Sequence, residues 1–423
     1  MNGRIGPAWG IAALIVSWGL VLASGCGKQA PPTSAEAQPS QSSEPESVAT
    51  AQRTTPPVAA ISAEPADAEM LAVPQPDKGT PEWMLREIAG IRTEMNASAR
   101  GESGTTPVET DSQLIAQHQK IIQLARQVIA ATHQDESKGQ VFNNAVHYLS
   151  DARLELAMQG DTEQAELLVE DAESLYRRDP KSFAAVESAS KVVDLAQRKV
   201  EKQGKQNPEW CTEYANQVRL FAEKFPHEPN RSALMLLTAG QICDRLGLDD
   251  DARRCFAVVR DEFPDTIFAE QVNGFLRRFS LIGQPLELAG PTIDGGYISI
   301  DQYRGQAVLV VFWTSQSPQF RQDLEQLQEI EQQFGQQGLS VIGVNLDQDE
   351  GSIDDFLAEQ AVTWPQIFYS EPEKRGGRNP VARFYGVQTI PTYWLVDASG
   401  NVAAMPKDLS SLSAKIHALA RKD

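Results

Sequence analysis

The chain has no cysteine after Cys255 and no Cys-x-x-Cys pair anywhere in its 423 residues. Its four cysteines are Cys26, Cys211, Cys243 and Cys255. Two thiols spaced one helical turn apart, the usual dithiol arrangement, are therefore excluded. Histidine is also scarce: His118, His133, His147, His227 and His417 are too widely spaced for a zinc-ligand motif, and no metal site is expected. No phosphate-binding Gly-x-x-x-x-Gly-Lys loop and no dinucleotide glycine fingerprint occurs, so no cofactor is expected. Positive charge is short as well. Lys and Arg total 38 against 57 Asp and Glu, a formal net charge of −19. An acidic chain without long basic runs does not suit nucleic acid.

The first 78 residues carry no globular pattern. Arg4 precedes an apolar run from Ile11 to Ala23, interrupted only by Ser17 and Gly19. The run is short for a membrane span, and its small-residue ending has the form of a signal peptide, residues 1–25. The ending Leu22-Ala23-Ser24-Gly25-Cys26 resembles a bacterial lipobox, with the leucine one place early. The resemblance implies cleavage before Cys26 and lipidation of its sulfur. Several acyl chains together give firm anchoring. The implied location is the cell envelope: exported, on the periplasmic side, lipid-anchored to a membrane, inner or outer. Residues 26–78 then form a disordered tether. Beyond Cys26 it holds nine prolines and no aromatic residue, too little apolar surface to offset chain entropy. A flexible chain of that length reaches roughly 40 Å.

Residues 79–279 read as α-helical. The segment "DSQLIAQHQKIIQLARQVIAA" places Leu114, Ile121, Leu124 and Val128 near helical spacing. Asp161 is placed as an N-cap, and Asp179-Pro180 as a stop. Two Phe-Pro pairs, Phe225-Pro226 and Phe263-Pro264, each precede a new helix. With the helix, Gly turn and helix between them, they resemble tetratricopeptide-type (TPR-like) repeats, which stack helical pairs into a concave surface. An ordinary helical domain fits the pattern equally. Cys211, Cys243 and Cys255 sit on these helices as small buried residues. A Cys243–Cys255 disulfide across the Gly247 turn is the other role open to them.

From residue 281 to 423 strands alternate with helices, which argues an α/β domain. "QAVLVVFW" reads as a strand buried on both faces. This stretch, "VIGVNLD" and "FYGVQTIPTYWLVDASGNV" together resemble the thioredoxin-fold redoxin superfamily in its TlpA/AhpC-TSA branch. The resemblance covers about a third of the chain. It implies a multidomain protein: a disordered linker, a TPR-like α-helical domain and an α/β thioredoxin-like domain. It also implies a cis peptide before Pro391, with Ile390 beside the active-site turn.

Laid on the family pattern Phe-Trp-Ala-x-Trp-Cys-x-x-Cys-Arg, the chain matches at Phe312, Trp313 and Arg321. The first cysteine falls on Ser317 and the second on Phe320. A serine oxygen cannot enter a disulfide or sulfenic-acid cycle. Nor is a base at hand to make Ser317 a hydrolytic nucleophile, because His417 lies in the final helix. The basic segment 371–380 reads as a solvated insertion. The expected function is non-catalytic: binding of an extracytoplasmic protein or peptide, through the helical surface and a groove of Trp313, Ser317, Pro318, Phe320, Ile390 and Pro391. The alternative is the family's own thiol–disulfide oxidoreductase or peroxiredoxin activity.

Overall fold

A computed structural model describes residues 75–99 and 107–420. The signal segment, Cys26 and most of the tether lie outside the described residues.

Among the described residues, nine consecutive α-helices come first: α1 Pro81–Ala99, α2 Pro107–Thr132, α3 Gly139–Met158, α4 Thr162–Arg178, α5 Phe183–Gln203, α6 Pro208–Lys224, α7 Pro229–Arg245, α8 Asp249–Glu262 and α9 Ala269–Phe279. Local chemistry sets their ends. Asp161 caps α4 by accepting from the Gln164 N–H at 3.1 Å. Ser182 caps α5 in the same way, from Ala185. Pro208 and Pro229 open α6 and α7, where a missing N–H costs nothing. Phe225 and Phe263 occupy equivalent places, the C-caps of α6 and α8, and both are buried. The following proline bars them from helical geometry, so chain direction and core anchor are set together. Each helix packs on the next, and α1, α3 and α6 also touch the helix after that. This is a stack of antiparallel helical pairs, consistent with the TPR-like expectation.

The chain then enters a sheet domain. Strands β1 Ala289–Pro291 and β2 Tyr297–Ser299 form a hairpin. Strands β3 Ala307–Trp313, β4 Leu339–Asn345, β5 Gln366–Ile367, β6 Thr392–Val396 and β7 Val402–Ala404 form one sheet in the order β5-β4-β3-β6-β7. Strand β3 runs parallel to β4 and antiparallel to β6. Helices α10 Pro318–Gly335, α11 Glu350–Glu359, α12 Pro380–Phe384 and α13 Leu412–Ala420 cover the sheet. Alternate residues of β3 serve two separate cores. Leu309, Val311 and Trp313 pack with α10, α11 and α13. Val308, Val310 and Phe312 pack with β2 and α12. Burial on both faces accounts for the unbroken apolar run.

The two domains meet where backbone touches backbone. A Cβ on Gly274 of α9 would lie 2.6 Å from the Arg383 carbonyl oxygen of α12. Gly386 has φ +61°, and its own Cβ would strike the Phe275 nitrogen. Arg277 donates to the Phe384 carbonyl and lies over the Phe384 ring. Gln241 of α7 donates to Gln388 at 3.1 Å.

The basic segment 371–380 is a correction to the sequence reading. It folds into two short 3-10 turns, Pro372–Lys374 and Gly376–Arg378. Arg375 is buried rather than solvated. It donates to the Tyr369 carbonyl (2.9 Å) and to Glu350 (2.7 Å), and its guanidinium lies over Phe368. Asn379 is buried too, and its Oδ1 caps α12 by accepting from Val381 and Ala382. The charge of Arg375 is thus spent inside the loop, on carbonyls and on Glu350.

Candidate functional site

The turn from β3 into α10 is where the sequence places the reacting atoms. Trp313 ends the strand and donates its indole N–H to Gln366 Oε1 at 2.8 Å. Ser315 follows, buried. Its N–H reaches both carboxylate oxygens of Asp347 (3.1 and 3.0 Å), and its hydroxyl donates to Oδ1 (3.0 Å). Asn345 Nδ2 donates to Asp347 Oδ2 at 2.7 Å. The buried carboxylate thus ties the turn to the end of β4. Arg321 fixes the other side by donating to the Ser315 carbonyl at 2.8 Å. Sequence reasoning passed over this network. Its signal was the Asn345-x-Asp347 spacing just after the apolar run Val341–Val344.

Ser317 is the N-cap of α10. Its Oγ accepts from the Phe320 N–H at 3.2 Å. The hydroxyl therefore satisfies a free helix-terminal donor. Phe320 is 0% exposed, and its ring stacks on Trp313 with centroids 4.4 Å apart. Phe356 completes the aromatic cluster, 5.1 Å from Trp313 and 5.9 Å from Phe320. The two sulfur positions of the redoxin pattern are thus filled by a helix cap and by core.

The groove proposed from sequence is corrected on two of its walls. Trp313 and Phe320 are fully buried, because β3 and the first turn of α10 turn them inward. Ser317, Ile390 and Pro391 are half-buried, and Pro318 is exposed. The Ile390–Pro391 peptide is cis. Thr392 pairs with Phe312 in the sheet, which sets Pro391 beside the Trp313 end of β3. The backbone of a redoxin active-site turn is present; the surface over it is Gln316, Pro318 and Gln319.

A concavity lies in the helical domain. A groove of about 630 Å³ runs between α4, α5 and α6. Val169 and Leu220, both around two-fifths exposed, line it with Trp210 and Phe221. Glu166 and Glu213 add negative charge. Concave apolar lining with a few polar groups is the common form of a recognition site.

The remaining thiols lie in the helical core. Cys211 and Cys243 meet Sγ to Sγ at 2.7 Å, so the sulfur contact joins α6 to α7, not Cys243 to Cys255 as the sequence suggested. Both are 0% exposed. Burial pushes the Cys255 thiol up to about 12, where almost no thiolate exists at neutral pH. Among the described residues, no cluster of His, Cys, Asp and Glu is arranged to hold a metal ion.

The sheet order and the strand–turn–helix, together with the family match, make the C-terminal unit a thioredoxin-fold redoxin domain. The AhpC/TSA family model matches residues 282–405. Residues of this domain are 29% identical over 114 positions to the sporulation thiol-disulfide oxidoreductase A of Bacillus subtilis, covering 26% of this chain and 64% of that protein. The thiol-disulfide oxidoreductase ResA of Geobacillus thermodenitrificans is 23% identical over 110 positions, covering 26% and 59%. The chain thus spans about three-fifths of the length of these curated relatives. Among solved structures, a putative thiol:disulfide interchange protein DsbE from Chlorobium tepidum is 26% identical, with a TM-score of 0.29 over 32% of this chain and 94% of that one.

Proposed function

We propose that this protein is an exported, membrane-tethered binding protein whose redoxin domain carries no thiol chemistry. One observation carries the reading: Ser317 and Phe320 occupy the two sulfur positions, one as a helix cap and the other as buried core. The domain contains no cysteine at all. Thiol–disulfide exchange requires a sulfur that can be attacked and released, and none is present. The relatives named as thiol-disulfide oxidoreductases support the second reading, catalysis, but the redoxin domain of this chain has no cysteine.

The binding surface in this proposal is the helical groove. Its apolar walls suit the apolar face of a protein or peptide segment in the cell envelope. The lipobox-like Cys26 and the tether that follows support a location at a membrane surface. Among the described residues, no helix is long and apolar enough to cross a membrane. The test is photo-crosslinking in cells, with benzoylphenylalanine placed at Val169 in the groove and at Gln316 over the turn. A discrete adduct from Val169 that is lost on Leu220→Asp supports the proposal. No adduct from Val169, together with thiol-dependent turnover by the purified protein, overturns it.

A further inference from the structure

We propose that Cys211 and Cys243 are joined by a disulfide that clips α6 to α7 in the helical domain. The two sulfurs touch each other inside the core and are wholly shielded from solvent. Their placement follows from the hairpin. In an antiparallel helical pair, residues equidistant from the turn lie side by side. Cys211 and Cys243 are each sixteen residues from His227, the middle of the Phe225–Glu228 turn. Cys255 breaks that register. Cys243 lies four residues before Gly247, the left-handed residue of the α7–α8 turn, and Cys255 lies eight after it. The offset of four residues is roughly 6 Å along the helix axes, and disulfide geometry tolerates little displacement.

The chemistry is ordinary exchange with a disulfide-bearing oxidant. One thiolate attacks the oxidant RS–SR and releases RSH after protonation. The second cysteine then displaces the other RS group from the mixed disulfide. Two thiols become one S–S bond, two electrons pass to the oxidant, and two RSH leave. Neither sulfur is reachable once the helices have closed, so the exchange precedes their packing. Trp210, Leu220 and Phe221 of the groove all lie on α6. The bond therefore fixes one groove wall to the next helix of the stack.

The full chain is refolded in a mixture of reduced and oxidised glutathione, blocked with N-ethylmaleimide in denaturant, and digested with trypsin without reductant. The three cysteines of the helical domain fall in separate peptides, 206–219, 232–245 and 255–260, apart from the one that holds Cys26. The expected result is a cross-linked species of the first two, lighter than their sum by two hydrogens, with the third recovered as the maleimide adduct. Cys255→Ser leaves that species unchanged. Recovery of 206–219 and 232–245 as separate adducts overturns the proposal, and so does a link from either to 255–260.

Discussion

Restoring cysteines to the redoxin turn is predicted to cost stability before it restores any chemistry. Phe320 is fully enclosed, stacked on Trp313 and set at a tilt against Phe356. Phe-to-Ala changes in cores cost about 3–5 kcal/mol, and a sulfur refills part of the space, so Phe320→Cys is expected to lose about 2–4 kcal/mol. Ser317→Cys removes the cap on the Phe320 N–H, which costs about 1 kcal/mol. The two changes share that N–H, so their effects will not simply add. Together they remove a large part of the roughly 5–15 kcal/mol available to a domain. The assay is urea unfolding under reducing conditions, so that no new disulfide obscures the cost. Fluorescence reports on the domain through Trp313, Trp364 and Trp394. Two domains unfold here, so the transition of the redoxin unit is fitted separately. A loss of less than about 1 kcal/mol for Phe320→Cys, well under the usual range for a core aromatic, would refute the reasoning. The turn would then be a ready dithiol site with two side chains exchanged, not a site rebuilt as core.

Three further outcomes follow from the same structure. Asp347→Ala strands the Ser315 N–H, the Ser315 hydroxyl and Asn345 Nδ2 without their acceptor; a loss of about 3 kcal/mol is expected in denaturant melts. Gly274→Ala drives a methyl into the Arg383 carbonyl; limited proteolysis is expected to cut between the domains near residue 280, and stability to fall by about 1–3 kcal/mol. The His147 hydrogen bond, aided by Lys191, holds the Glu187 carboxyl below the usual range. A lowered folded pKa gives stability that is present above the ordinary Glu value of about 4.3 and is lost as pH falls through the folded one. Thermal melts of Glu187→Gln between pH 6 and 3, a span of about three units around that value, are expected to show a shallower acid decline than wild type.

Much of the fold is written locally. The apolar run of β3 requires two covering layers, and the structure supplies both. The Phe-Pro pairs mark the ends of α6 and α8 because a residue before proline avoids helical geometry. The exchange at Ser317 and Phe320 is visible in the sequence because flanking residues fix the register. Its consequence is not: only packing shows that Phe320 turns inward and that Trp313 forms no open wall. Arg375 misled for a related reason. Its composition suits solvent, yet nearby carbonyls and Glu350 satisfy it inside the loop. The Cys211–Cys243 contact was within reach of the sequence, since both are equidistant from one helical turn. Proximity in the chain drew attention to Cys255 instead.

With Ser317 and Phe320 in the two sulfur positions, the redoxin turn is proposed to keep its backbone without the reaction. The most direct measurement is turnover by the purified full chain, with insulin disulfides and dithiothreitol in one assay and peroxide with a thiol reductant in the other. The expected rates equal those of the reductant alone and are unchanged by Ser317→Ala. Turnover above that background, dependent on Ser317 or abolished by replacing Cys211, Cys243 and Cys255 together with serine, would contradict it.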